Sequence, residues 1–342
     1  MKIACANCAV TMKYHDTGYF FLHNNQNHSV PVMGYSTRLE DGTYVFLYEN
    51  LKDLYEKLMR VEELMEKDGW KCSINCINQP GPFMTVGRFM LLMKHKEMVE
   101  MIQDGHFTSH LQPIVDLSDY SLFGYESLLR AGDQSKKINP GQLFEVAANT
   151  GFHSMLDQKA RKSAIECRVG QVTPGIKSFI NFLPSTIYNP EFCLRHTFQI
   201  VNELGLNPED LVFEVVETEK IVDVEHLKSV LDVYKREGMK VALDDVGSGF
   251  ATVEMLTLLN PDYVKIDRSF INHCDSDAEN QEFLRKVMKI AGELDIHVLA
   301  EGIERKEELL FCKEIGVHYA QGYFIGKPAR QAEKPFADSL LV

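Results

Sequence analysis

Glu126, Asn181, Glu214, the pair Asp244-Asp245, Lys265, Glu301 and Gln321 each stand at or just beyond the end of a short apolar run. Counting from Asp244 in the pair, the successive spacings are 55, 33, 30, 21, 36 and 20 residues, each long enough for a connecting element. If the runs are strands whose ends converge, carboxylates from four of them share one mouth. Such a cluster cannot stay ionised and empty without strong repulsion or raised pKa values, and divalent cations resolve the conflict. The donors are carboxylate and amide oxygens, without His or Cys, which favours Mg2+ or Mn2+ over a structural zinc. Asp244-Asp245 suits one bridging and one terminal ligand of a two-metal site, with ions ~3.5–4 Å apart. Lys265 alternates with Val264 and Ile266, so it faces the opposite way, and its ammonium can position a water or steady charge on phosphoryl oxygens.

Taken singly, each residue has a plainer reading. A carboxylate after a strand often caps the next helix, the segment from Asp245 to Gly249 reads as a βα turn, Lys265 as a surface lysine, and Gln321 before Gly322 as a turn residue. The joint pattern favours chemistry, because caps have no reason to supply acids, an amide and a lysine at successive strand ends.

The elements that must position these residues are eight strand-like runs, at 109–117, 122–129, 177–183, 211–216, 240–243, 263–266, 297–300 and 319–325. Helix-like stretches lie between most of them, at 157–168, 191–204, 224–236, 277–294 and 305–315. The alternation predicts a TIM-like (β/α)8 barrel, whose chemistry sits at the C-terminal ends of the strands. An open doubly wound sheet is the alternative, disfavoured because no GxGxxG follows an early strand. The first stretch reads differently. Runs at 32–39 and 43–48 flank Asp41-Gly42, a hairpin signal, and 50–67 has helical apolar spacing. The cluster Gln79-Pro80-Gly81-Pro82 is a joint, after which one helix is expected at 89–103. Two domains follow: a small α+β domain over 1–85 and a barrel over 86–342.

The motifs resemble the EAL phosphodiesterase family. Tyr125-Glu126-Ser127-Leu128-Leu129-Arg130 is similar to the signature that names it, with Ser for Ala, and Gln112-Pro113-Ile114-Val115-Asp116 resembles the segment before it. Asn181-Phe182-Leu183-Pro184, Phe213-Glu214-Val215-Val216-Glu217, Asp244-Asp245-Val246-Gly247-Ser248-Gly249-Phe250, Tyr263-Val264-Lys265-Ile266-Asp267, Ala300-Glu301-Gly302-Ile303-Glu304 and Ala320-Gln321-Gly322-Tyr323 follow in the family's order. The match spans 89–328, roughly 70% of the chain, and so many ordered motifs are far more specific than one.

The resemblance implies metal-dependent hydrolysis of cyclic di-GMP to linear pGpG in bacterial second-messenger signalling. It implies one metal on Glu126, Asn181, Glu214 and Asp244, and a second on Asp244, Asp245 and Glu301. Lys265 would contact the catalytic water. Gln112, Leu128, Arg130, Asp267 and Gln321 would line the substrate site, Arg130 by a bidentate grip on phosphate. Glu217 would hold the loop 245–250 in its working shape. That loop and the helix after it would form a homodimer contact. Val246 and Ser248 depart from the family's Phe and Thr in this loop. The alternative is therefore a weak or inactive cyclic di-GMP receptor or adaptor signalling through the first domain; a different dinucleotide substrate is a third reading.

Composition sets outer bounds. Lys and Arg total 36 against 49 Asp and Glu, a formal net charge of −13 over 342 residues. This argues against a broad basic face for duplex DNA or an anionic membrane. Without a long apolar run or a signal-like start, a cytoplasmic protein with reduced thiols is expected. Of eight cysteines, Cys5 with Cys8 and Cys72 with Cys76 form two pairs that could together hold a structural zinc ion, or simply be reduced thiols.

Overall fold

The computed structural model describes residues 13–24, 36–64, 70–133, 138–216, 223–246 and 253–335. The chain divides into two compact units, Met1–Gly105 with Gly141–Met155, and His106–Pro140 with Leu156–Val342.

The first unit holds strands β1 (Gly18–Asn24), β2 (Ser36–Arg38), β3 (Tyr44–Tyr48), β4 (Trp70–Asn75) and β5 (Met84–Thr85) in one antiparallel sheet of order β2-β3-β1-β4-β5. The expected hairpin is present. Gly42 takes the left-handed φ of 83° that the turn demands, and Asp41 Oδ1 accepts a bond from Thr43 N at 2.9 Å. Helix α1 (Leu51–Leu64) starts where Asn50 Oδ1 accepts Asp53 N at 2.9 Å. Its buried stripe of Leu54, Leu58 and Val61 packs on Phe20, Leu22, Phe46 and Tyr48. Strand β1 has no alternating signal in the sequence because Phe20, Phe21 and Leu22 are all buried, covered on both faces.

The helix expected at 89–103 is two helices, α2 (Val86–Lys94) and α3 (Lys96–Asp104), separated at His95. Both belong to the first unit, as do most of α4 (Pro140–Thr150) and the start of α5 (His153–Arg168). The boundary thus falls at Gly105 rather than at 85. The breaker cluster 79–82 precedes the short edge strand β5 and separates nothing.

The second unit is a closed barrel of β6 (Phe107–Asp116), β7 (Leu122–Ala131), β8 (Lys177–Phe182), β9 (Leu211–Val215), β10 (Lys240–Val246), β11 (Tyr263–Ile266), β12 (His297–Ala300) and β13 (Tyr319–Gln321). All eight correspond to the predicted runs. One departure from a regular (β/α)8 barrel is that β6 runs antiparallel to both of its neighbours, β7 and β13. Only five residues join β6 to β7, enough for a hairpin and too few for the crossover that parallel strands require. Around the barrel lie α6 (Pro190–Cys193), α7 (Arg195–Glu203), α8 (Val224–Arg236), α9 (Val253–Leu259), α10 (Arg268–Ile271), α11 (Ala278–Leu294) and α12 (Lys306–Glu314). Leu231, Val241, Val264, Leu284, Val298 and Leu309 are among the residues that join strands to helices in the outer core.

Inside the barrel, Ile114, Phe179, Val212, Ala242, Tyr263, Leu299 and Tyr319 form an apolar plug, with Phe123 stacked on Tyr319 at 3.7 Å between ring centres. Side chains along a strand return to the same face every second residue. Two residues beyond the plug therefore come Asn181, Glu214, Asp244, Lys265, Glu301 and Gln321, and two residues before it on the reversed β6 comes Gln112. Glu126 on β7 is the Cα partner of Gln112 and completes the tier. No helix among the described residues is long and apolar enough to cross a membrane.

Candidate active site

The polar tier is built around Lys265. Its Nζ is buried and lies 2.6 Å from Glu301 Oε1, 2.9 Å from Glu214 Oε2, 3.1 Å from Asp244 Oδ1 and 3.7 Å from Glu126 Oε1. Four carboxylates thus face one ammonium. Their charges pull the lysine in opposite directions from burial. Desolvation alone would lower its pKa, but Asp244, Glu126, Glu214 and Glu301 together hold it well above the usual lysine value.

The carboxylates respond unequally. Burial pushes Glu214 well above its usual range, and Glu126 and Asp244 add to the rise against the pull of Lys265. Glu301 is pushed up to about 8 by burial, with Asp244 and Glu126 reinforcing the rise and Lys265 opposing it. Burial would raise Glu126 too, but Lys265 and the amides of Gln321 and Asn181 outweigh it and leave its pKa lowered. Those amides are visible contacts: Asn181 Nδ2 donates to Glu126 Oε1 at 3.1 Å, and Gln321 Nε2 donates to Glu126 Oε2 at 2.6 Å and to Gln112 Oε1 at 3.0 Å. Gln112 Nε2 in turn donates to Gly326 O at 3.2 Å. Glu126 is thereby held in one orientation from both sides.

Three buried acceptors in the tier lack hydrogen-bond partners among the described residues, Glu214 Oε1, Glu214 Oε2 and Gln321 Oε1, although Glu214 Oε2 is in ion-pair range of Lys265. Leaving a buried acceptor unmade costs about 1–3 kcal/mol, so such atoms await a donor or a cation. The all-oxygen donor set, the repulsion among the carboxylates and the orphaned Glu214 oxygen together fit hard divalent ions.

The remaining predicted residues fall into three groups. Leu128 and Arg130 lie on β7 two and four residues beyond Glu126, on the same face, and Arg130 Nη1 donates to Leu129 O at 2.8 Å. Asp267 follows β11 and caps α10, its Oδ1 accepting Ser269 N at 2.9 Å. Glu217, the loop 247–252, Cys5 and Cys8 lie outside the described residues, as does the side chain of Asp245. Of the other two cysteines, Cys72 is fully buried in the apolar core of the first unit, where burial pushes its thiol far above the usual value, while Cys76 is exposed. Cys72 is therefore placed as a core side chain of the first unit.

Sequence reasoning passed over His110. It is the Cα partner of Leu128, on the face shared by Gln112 and Glu126. The signal that could have found it is the period of two running back from Gln112.

Residues 95–328, well over half of the chain, match the family model described as EAL domain. The chain belongs to the EAL domain family. It is 31% identical over 236 residues to the probable cyclic di-GMP phosphodiesterase PdeG of Escherichia coli (strain K12), covering 66% of this chain and 45% of that one. It is 26% identical over 273 residues to the cyclic di-GMP phosphodiesterase PdeF of the same strain, covering 77% of this chain and 36% of that one. This EAL chain thus spans less than half the length of these curated relatives. The crystal structure of a standalone EAL protein from Vibrio cholerae O395, in its c-di-GMP-bound form, is similar with 32% identity and a TM-score of 0.62, covering 68% of this chain and 96% of that one. The matched part contains every member of the polar tier and leaves most of the first unit outside it.

Proposed function

We propose that this EAL domain hydrolyses one phosphodiester bond of cyclic di-GMP to give linear pGpG, with Mg2+ or Mn2+ as its working ions. The observation that carries the proposal is the tier of Glu126, Asn181, Glu214, Asp244 and Glu301 gathered on Lys265. Glu126, Asn181, Glu214 and Asp244 would hold one ion, and Asp244, Asp245 and Glu301 the other. Bound there, divalent ions would offset the carboxylate charge, polarise the phosphoryl oxygens and lower the pKa of a bound water.

The chain's own residues supply the rest. Lys265 is fixed by its carboxylate contacts and can hold the attacking water or take charge from a phosphoryl oxygen, without reorganising at the moment of reaction. Gln321 and Asn181 fix the direction of Glu126, as outer partners commonly orient metal ligands. Arg130 would be a bidentate phosphate ligand, Leu128 and Asp267 would line the substrate, and Glu217 would act on the loop 245–250, as the family resemblance implies. We also infer a homodimer through that loop and α9, a reading supported by the exposed Leu258 on α9. Light scattering of the purified protein reads that state.

The direct test is to incubate the purified chain with cyclic di-GMP and either ion and follow pGpG by chromatography. Turnover that disappears in Glu126→Gln supports the proposal. Tight binding of intact cyclic di-GMP with neither ion producing pGpG would instead make the chain a receptor.

A further inference from the structure

Above the polar tier, the β6–β7 hairpin and the chain returning at Ala329 carry two arginines and a histidine that the tier does not use. In the β6–β7 hairpin the Cα partners are Gln112 with Glu126, His110 with Leu128, and Thr108 with Arg130. Alternate residues share a face, so His110 and Arg130 stand above Glu126 on the side that faces the mouth. The other edge of β6 is paired by β13 only from Ile114 to Asp116. Further along, the chain returns to that edge, with Leu111 N bonded to Ala329 O at 2.7 Å and Ala329 N to Leu111 O at 3.0 Å. An antiparallel bridge at this pair brings Arg330 beside His110.

Three observations agree with that placement. Burial lowers the pKa of His110, and Arg130 and then Arg330 add to the fall through their charges. The same imidazole is bonded to the backbone of Pro328. Among the described residues, neither Arg130 nor Arg330 is in an ion pair with a carboxylate, whereas the buried Arg161 and Arg168 are paired with Asp157 and Asp210.

A positive rim therefore overhangs a negative floor, in a chain whose net charge is −13. A cyclic dinucleotide carries two phosphodiester charges on opposite sides of one ring. When one phosphate lies over the carboxylate tier, the other must find its cations elsewhere.

We propose that His110 and Arg330, beside Arg130, hold the second phosphate of the substrate, the one that is not cleaved. This inference rests on the phosphodiesterase reading above. Arg330 supplies the guanidinium fork that suits phosphate oxygens, and His110 lines the path between the rim and Gln112. The rim thereby selects a ring with two phosphates over a simple phosphodiester.

The test compares the full chain with Arg330→Ala, Arg330→Lys and His110→Ala on two substrates. Cyclic di-GMP has the second phosphate, and bis(p-nitrophenyl) phosphate does not. Losing a charge-assisted contact should raise KM for cyclic di-GMP about tenfold in Arg330→Ala while kcat changes little. Arg330→Lys should recover part of that loss. kcat/KM on bis(p-nitrophenyl) phosphate should stay within about twofold of the unsubstituted chain in every variant, since it makes no rim contact. An unchanged KM for cyclic di-GMP in Arg330→Ala, or equal losses on both substrates, overturns the rim. Calorimetric binding of cyclic di-GMP with Ca2+ separates the two proposals. Binding by the unsubstituted chain that weakens in Arg330→Ala, without turnover under Mg2+ or Mn2+, would retain the rim and reject the hydrolase. Binding that does not weaken rejects the rim, and failure of the unsubstituted chain to bind rejects both.

Discussion

Replacing Lys265 by Met removes the only ammonium among the described residues that faces the four carboxylates, while keeping the volume of the side chain. Three contacts at 2.6–3.1 Å disappear from a fully buried position. Breaking a buried ion pair and leaving its partner charged costs about 3–5 kcal/mol. For a unit of this size each kcal/mol moves Tm by roughly 2–4 °C, so metal-free Lys265→Met should melt on the order of 10 °C lower near pH 8. The sign of the pH dependence follows from the carboxylates. Glu126 has a lowered pKa in the folded chain, so it contributes stability above its unfolded value, and that contribution fades as pH falls through the lower folded value. Lys265 is the largest favourable influence on it. The deficit of the variant should therefore shrink toward pH 5 and below, as Glu214, Glu301 and finally Glu126 take up protons. Differential scanning calorimetry in EDTA across pH 4.5–8 reads the effect. A deficit that is absent at pH 8, or that grows toward acid pH, would refute this account of the tier.

Two further predictions follow from the same geometry. Glu301, raised to about 8, and Glu214, raised well above its usual range, contribute stability at low pH that is lost as pH rises toward their folded values. Bound Mn2+ should therefore raise Tm more at pH 8 than at pH 6, as thermal-shift measurements with and without EDTA would record. Gly322 admits no side chain, because a Cβ there would lie 2.1 Å from Ile303 O and 2.2 Å from Ile303 N, both backbone atoms. Gly322→Ala should lower Tm by several degrees and turnover about tenfold or more, since overpacking against fixed backbone costs about 1–3 kcal/mol and displaces the adjacent Gln321; unchanged turnover would show that the 321–322 turn does not position the tier.

Much of the barrel was readable from residues alone because six of its eight strands repeat one grammar. An apolar plug residue is followed two positions later by a polar one, as in Phe179 and Asn181, Val212 and Glu214, or Tyr263 and Lys265. The period of two puts both inside the barrel, and closure brings the polar members together. The direction of β6 was harder to read, because it depends on the length of one connection rather than on any residue in the strand. The first unit was less legible. In β1 three consecutive buried residues erase the alternation, and Cys72 carries no mark in the sequence that separates a core thiol from a ligand. Pro80 and Pro82 punctuate a loop within the first compact unit, while the division between the two units at Gly105 is marked in the sequence by a single glycine. His110 was passed over because an isolated histidine in a strand has no spacing partner in sequence; its neighbours come from β7 and from the returning chain at Ala329.

Diffraction from crystals grown with Mn2+, collected at the manganese absorption edge, observes the tier directly. The account predicts anomalous peaks bounded by the oxygens of Glu126, Asn181, Glu214 and Asp244, with Glu301 at their side. Data in which manganese is absent from this ring, or binds only elsewhere on the surface, would contradict it.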